Sequence, residues 1–295
     1  MADAPRITLL GTGTMGVGMA HSILRAGLPL TVWNRHAERA RPLADDGATV
    51  AEDLTEAVRE ADVVVTMLFD ADAVTAVMDE AAGAMKDGAV WVQSSTVGRD
   101  GTATLARFAT DHGLTMVDAP MVGTKQPAED GKLTVLASGP ASTRETVQPV
   151  FDAVGAKTVW LGDEAGPASA MKLVANSWVG VLTAGTAQGI QQARAFGLDP
   201  AQFLETVSGG AADSPYLQTK GKAILEEKFD PQFGLDGLLK DLRLIRTATA
   251  GAGVPTTLVD ALVAAFEQAS EEGHGREDIA AVSASFQPKA AAPAV

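Results

Sequence analysis

The stretch Arg6-Ile7-Thr8-Leu9-Leu10-Gly11-Thr12-Gly13-Thr14-Met15-Gly16 decides the fold of this chain. A GxGxxG run alone is a weak signal. Here it follows a strand-like apolar run, opens a helical pattern beginning Val17-Gly18-Met19, and starts a strand–helix–strand unit, the context that gives the motif meaning. In that context Gly11 permits a tight turn, Gly13 lets backbone approach a pyrophosphate, and Gly16 lets the helix pack closely on the sheet. The helix N-terminus then offers N–H groups and partial positive charge to the phosphates. Gly11, Thr12, Gly13, Thr14, Met15 and Gly16 are therefore candidate ligands of a dinucleotide.

Outward from that loop, β-rich runs alternate with helical segments. The runs are Arg6–Leu10, Leu30–Trp33, Asp62–Leu68, Ala89–Gln93, Thr115–Asp118, Thr134–Ala137 and Thr158–Leu161, with Thr14–Ala26, Ala73–Ala82 and Thr102–Asp111 among the helical segments. This repetition predicts a mostly parallel sheet covered on both faces. After residue 162 the strand signal disappears. Gly166-Pro167 opens a helix, because proline suits a first turn, and Gly197 ends it after about 30 residues, or ~45 Å. Further helices are predicted over Pro200–Val207, Tyr216–Glu227, Leu235–Ala250, Thr256–Glu272 and Asp278–Ser285. The fold class is α/β: a Rossmann-type doubly wound sheet followed by an all-α C-terminal domain, with a long interdomain helix. Residues 1–162 are expected to bind a dinucleotide. Residues 163–295 are expected to form a helical substrate and dimerisation domain with a frayed tail over 288–295, and the active site is expected between the two domains.

Composition excludes several classes. The 295 residues hold no cysteine, which removes disulfide scaffolds, thiol catalysis and Cys-ligated metal, and fits a reducing cytoplasm. A net charge of −14 repels nucleic acid and anionic lipid. The first apolar run, Ile7–Leu10, is too short for a secretory signal. Leu173 to Ala193 carries no charge, but its asparagine, threonines and glutamines make it a helix buried in protein and not a membrane span. His21, His36, His112 and His274 show no metal-ligand spacing, so no metal is expected. Trp33, Trp91, Trp160 and Trp178 fall in predicted strands or the long helix and are read as core.

The second strand ends Val32-Trp33-Asn34-Arg35. A carboxylate there would accept the adenosine ribose hydroxyls and favour NAD. Asn34 does not repel a phosphate and Arg35 can grip one through its planar fork, so NADP(H) is expected in preference to NAD(H). Leu68 and Thr96 follow strand ends that should also approach the cofactor. The bland alternative for Thr96 is an N-cap for the helix after Gly98.

Lys172 and Asn176 lie four residues apart on one face of the long helix. A lysine in an uncharged, apolar helix is costly to bury unless it is paired or employed. Beside a nicotinamide it could protonate a carbonyl oxygen as hydride arrives, with Asn176 holding the lysine or the substrate oxygen.

Taken together, Gly11–Gly16 with Val17-Gly18-Met19, Asp118-Ala119-Pro120-Met121-Val122-Gly123, the Gly166–Asn176 segment and Lys240-Asp241-Leu242 resemble the β-hydroxyacid dehydrogenases over about residues 6–286. Lys125-Gln126-Pro127-Ala128-Glu129-Asp130-Gly131 looks like the glyoxylate/succinic semialdehyde reductase branch in particular. The resemblance implies Lys172 as proton donor, Asn176 as its helper and Lys240 near the nicotinamide end. It implies that Thr96, Gly123, Phe233 and Asp241 lie around the substrate. Gly123 has a turn as its bland reading and Phe233 the core. Lys240 and Asp241, being adjacent on a helix, are expected to diverge. The family pattern after the proline is usually Val-Ser-Gly, whereas this chain has Met121-Val122-Gly123. Val122 cannot donate to a substrate carboxylate, which makes the pocket more apolar.

The leading expectation is an NADPH-dependent reductase of a small carbonyl compound. Candidate substrates are the aldehyde acids succinic semialdehyde and glyoxylate or, in the oxidising direction, 3-hydroxyisobutyrate. An imine reductase of the same superfamily is the rival enzyme, and a non-catalytic NADP-binding interaction protein the rival class. Small residues at Gly180, Ala184, Gly185 and Gly189 predict a homodimer built through the helical domain.

Overall fold

The computed structural model describes residues 4–288, and the tail expected beyond Pro288 lies outside them. In chain order the strands are β1 (Ile7–Leu10), β2 (Leu30–Trp33), β3 (Thr49–Val50), β4 (Val63–Thr66), β5 (Val90–Gln93), β6 (Thr115–Asp118), β7 (Met121–Val122), β8 (Leu133–Ala137) and β9 (Gly155–Trp160). The helices are α1 (Thr14–Arg25), α2 (Leu54–Arg59), α3 (Ala71–Ala81), α4 (Gly98–Asp111), α5 (Lys125–Glu129), α6 (Arg144–Val154), α7 (Pro167–Ala195), α8 (Ala201–Val207), α9 (Pro215–Leu225), α10 (Leu235–Gly251) and α11 (Thr257–Ala269). Two compact units divide inside α7, after Leu173.

The first unit is built on a parallel sheet in the order β3-β2-β1-β4-β5-β6. Strands β1, β4 and β5 are buried at every position, as expected of apolar strands covered on both faces. The order reverses between β1 and β4, whose registers pair Ile7 with Leu30 on one side and Val63 on the other. Ligands of such sheets bind beyond the strand ends at this reversal. Helices α2 and α3 are capped by their own aspartates, Asp53 and Asp70, but no side chain caps α1, which follows Gly13. The start of α1 therefore keeps its N-terminal dipole unmatched by a local side chain.

The doubly wound sheet is as predicted, with one difference of detail. The runs at 134–137 and 158–161 leave the main sheet and form a second one, β7-β8-β9. After β6 the chain passes through Ala119-Pro120, and proline has no N–H for a ladder. It turns back as β7, which pairs antiparallel with β8, Met121 opposite Val135. Helix α6, absent from the sequence reading, carries Pro149 in its interior yet buries Val147, Val150, Phe151 and Val154 at helical spacing. Helix α4 begins with Val97, not Thr96, in the N-cap position.

The second unit is helical. Leu235, Leu238, Leu242 and Ile245 of α10 are buried, as are Val259, Leu262, Val263 and Phe266 of α11. The 29-residue α7 matches the length predicted for it. Of its small residues, Gly180 and Gly189 pack within the chain, where a β-carbon would meet Leu242 at 3.1 Å and the Phe203 ring at 2.9 Å, whereas Gly185 is exposed and a β-carbon there would meet nothing within 4 Å. The open face of α7 is instead apolar, carrying Met171, Val174 and Trp178. Trp178 is 62% exposed, which overturns its assignment to the core; Trp91 is fully buried as expected. Among the described residues, no helix is long and apolar enough to cross a membrane.

Candidate active site

In the first unit the glycine loop is forced by contact. Gly11 adopts φ +110°, and a β-carbon there would lie 2.3 Å from the Met67 carbonyl and 2.8 Å from the Leu68 side chain. A β-carbon on Gly16 would lie 2.0 Å from the Gly11 carbonyl, so α1 can start there only with glycine. A β-carbon on Gly13 would meet nothing within 4 Å, so the backbone is open at that point. Thr14 is exposed, Met15 half-buried, and the buried Thr12 hydroxyl has no hydrogen-bond partner among the described residues. An open glycine turn, an uncapped helix start and an unsatisfied hydroxyl are the features a dinucleotide pyrophosphate requires.

Asn34 has a role the sequence did not reveal. Its Oδ1 accepts from the Thr12 N–H at 3.1 Å and its Nδ2 donates to the His36 carbonyl at 3.0 Å. The amide braces the glycine loop against the end of β2, while Arg35 stands exposed beside it. Leu68, lying against Gly11, donates its N–H to the Ser95 hydroxyl at 2.8 Å. Beneath it runs a buried polar chain. Trp91 Nε1 donates to Thr66 at 3.0 Å, and Gln93 exchanges two 2.8 Å bonds with the Ser95 backbone. Thr96, half-buried, follows directly. Gln93 and Thr66 were missed by sequence reasoning, although polar residues at the ends of apolar strands were the available signal.

On the second sheet Val122 is half-buried, opposite Thr134. Gly123 adopts φ +140°, and a β-carbon there would lie 2.5 Å from the Leu133 side chain, so its turn role is real. Lys172, the proton donor implied by resemblance, is 7% exposed. The start of its helix is fastened by the buried Asp118 and by Ser138, residues whose part in the site sequence reasoning also missed.

In the second unit Asn176, Lys240 and Asp241 come together. Asn176 Nδ2 donates to Asp241 Oδ2 at 2.6 Å, and Lys240 Nζ lies 3.0 Å from Asp241 Oδ1. The expected divergence of Lys240 and Asp241 is therefore wrong: the long lysine side chain folds back over its neighbour. Phe233 is half-buried on the segment before α10. That segment is pinned by the buried Asp278, which accepts from the N–H groups of Gln232 and Phe233 and pairs with buried Lys220 at 2.6 Å.

A family model for the NAD binding domain of 6-phosphogluconate dehydrogenase matches residues 6–162. A second, for the NAD-binding of NADP-dependent 3-hydroxyisobutyrate dehydrogenase, matches residues 166–285. Chloroplastic glyoxylate/succinic semialdehyde reductase 2 of Arabidopsis thaliana is 33% identical over 284 residues, covering 94% of this chain and 78% of its own length. The structure of 3-hydroxyisobutyrate dehydrogenase from Salmonella typhimurium is similar at TM-score 0.87 and 28% identity, covering 96% of this chain and 99% of the other. A reductive aminase from Aspergillus terreus, in complex with NADPH and ethyl levulinate, is similar at TM-score 0.64 and 26% identity, covering 97% and 100%.

Proposed function

Since the chain belongs to the β-hydroxyacid dehydrogenase family of NAD(P)-dependent dehydrogenases and reductases, we propose that it reduces a small aldehyde acid such as succinic semialdehyde or glyoxylate with NADPH. The observation that carries this reading is Lys172, buried on α7 one turn before an asparagine that Asp241 holds in place. The backbone of Gly11–Gly16 holds the pyrophosphate, and Arg35 reads the 2′-phosphate. Leu68, Thr96 and Lys240 serve the nicotinamide end. When bound, the dinucleotide supplies the hydride. Lys172 gives a proton to the carbonyl oxygen as it gains charge, and Asn176 orients that oxygen or the lysine. Substrate binding is assigned to Thr96, Val122, Gly123, Phe233 and Asp241. The lack of cysteine supports a reducing, cytoplasmic location.

One observation favours a second reading, an imine reductase: Val122 offers methyl groups where a carboxylate would need a donor. The test is cofactor oxidation with NADPH and NADH over succinic semialdehyde, glyoxylate, an apolar aldehyde and a cyclic imine. Carbonyl turnover that falls ~10²–10⁴-fold in Lys172→Ala, the usual range for a positioned acid, supports the reductase. Turnover of the imine alone would replace it with the second reading.

The exposed apolar face of α7 supports a homodimer. Met171, Val174 and Trp178 recur at helical spacing, and a second copy of the chain would remove them from water.

A further inference from the structure

Helix α7 begins without a cap of its own. Gly166 has no side chain and Pro167 has no N–H. The first-turn N–H groups that a helix leaves unpaired are met instead from two strand ends. Asp118 closes β6 and is fully buried. Its Oδ2 accepts from Gly166 N at 3.0 Å and Ser169 N at 2.9 Å, and its Oδ1 accepts from the Ser169 hydroxyl at 2.7 Å. The Ser138 hydroxyl, just past β8, accepts from Ala168 N at 3.1 Å and donates to Asp118 Oδ2 at 3.4 Å. Ala170 N then makes a helical bond to Gly166 O at 2.9 Å. Every backbone N–H from Gly166 to Ala170 therefore has a partner, and those that precede the helix's own bonds are answered from 30 to 51 residues away.

A carboxylate is an expensive group to use here. Burial raises the Asp118 carboxyl above its ordinary value, against the downward pull of the bonds from Ser169, Gly166 and Ser138. Neutral Ser, Thr or Asn side chains cap helices elsewhere without that desolvation cost. What the carboxylate adds is two oxygens that take four donors at once, which ties the first turn of α7 to the last residue of a sheet strand. Lys172 follows Ser169 by three residues, on the same helical face.

We propose that Asp118 is a positioning residue for Lys172: it sets the register and tilt of the first turn of α7, and thereby where the lysine ammonium stands. This rests on Lys172 as the proton donor. Misplacement of a reacting group by about 1 Å can cost ~10² in rate, so the anchor matters without touching substrate.

The test measures kcat, carbonyl KM, and NADPH dissociation by fluorescence for Asp118→Ala, Asp118→Asn, Lys172→Ala and the Asp118→Ala/Lys172→Ala pair. Asp118→Ala should lower kcat by ~10²-fold while KM and NADPH dissociation stay unchanged. Asp118→Asn should restore most of kcat. Its amide oxygen can take the Gly166 and Ser169 N–H groups, and its NH2 can donate to the Ser169 hydroxyl, which turns to accept. Adding Asp118→Ala to Lys172→Ala should cost nothing further, because the effect runs through the lysine. Near-normal kcat in Asp118→Ala overturns the proposal. So does a kcat loss matched by lost NADPH binding, or losses that multiply in the double variant. If Lys172→Ala itself keeps full turnover, the reading of Lys172 falls first and takes the proposal with it. Should Asp118→Ala not fold, Ser138→Ala replaces it: a reduced kcat with unchanged NADPH binding supports the proposal, and an unchanged kcat overturns it.

Discussion

Asn176 Nδ2 donates a 2.6 Å hydrogen bond to Oδ2 of Asp241, 65 residues later, and the other oxygen of that carboxylate stands 3.0 Å from Lys240. The contact orders the asparagine: with its nitrogen turned to Asp241, its oxygen faces the other way. The buried carboxylate thus holds both an amide and an ammonium and fixes the position of each.

Removing that carboxylate should be felt twice. Asp241→Ala leaves the Asn176 amide without its acceptor in a buried setting, at a cost of ~1–3 kcal/mol in stability. It should also lower kcat by ~10-fold through the loosened asparagine, since a lost transition-state interaction of ~1.4 kcal/mol is one factor of ten. Denaturant unfolding and steady-state kinetics on the same preparations check both effects. Unchanged kcat would show that the Asn176 orientation is immaterial.

Cofactor choice should rest on Arg35. Because the Asn34 amide is committed to Thr12 and His36, the exposed guanidinium beside it is the group that can grip a 2′-phosphate. Arg35→Ala should weaken NADPH much more than NADH, measured as dissociation constants. Equal losses for the two cofactors would remove Arg35 from that role.

Val122→Ser adds a hydroxyl donor on β7. It should raise kcat/KM for succinic semialdehyde or glyoxylate by ~10-fold, the equivalent of ~1.4 kcal/mol, and lower activity on apolar aldehydes, ketones or imines. An unchanged substrate preference would mean that Val122 does not line the pocket.

The homodimer reading predicts a mass in solution of twice the 30.3 kDa chain by light scattering. Trp178→Glu, which puts a charge on the exposed apolar face of α7, should shift the protein to a single chain. A parent protein that is already monomeric at micromolar concentration ends the proposal.

Asp118 makes a prediction about pH and stability. Its burial lifts the native carboxyl above the ordinary 3.8, so the native state keeps this proton to higher pH than the unfolded chain does. Its contribution to stability is therefore fullest below 3.8 and is lost as pH rises through the raised native value. Asp118→Asn does not titrate. The difference in Tm between variant and parent should move in the variant's favour from about pH 4 towards neutrality. A difference that stays flat with pH would show that the buried carboxyl carries no such penalty.

The glycine turn, the alternation of strands and helices, the switch to all-helical pattern near residue 162 and the long helix with Lys172 ahead of an uncharged run from Leu173 to Ala193 were all legible in the order of residues. Each is a local pattern: a glycine spacing, a period of two, a period of 3.6, a proline at a helix start. Local patterns mark elements and the loops that follow them. The second sheet was not legible, because the pairing of β7 with β8 follows from a reversal after Pro120, and nothing in the strand pattern says which sheet a strand joins. Nor was the work of Asn34, Asp118 and Asp241, whose polar side chains find their partners across folded space. Trp178 marks the converse case: its apolar character suggested the core, and only the path of the helices around α7 left it in solvent. Periodicity reports which face of an element is apolar; what that face meets, and which buried donor answers which buried acceptor, is settled by long-range packing, where a polar group must find its partner wherever the chain brings one.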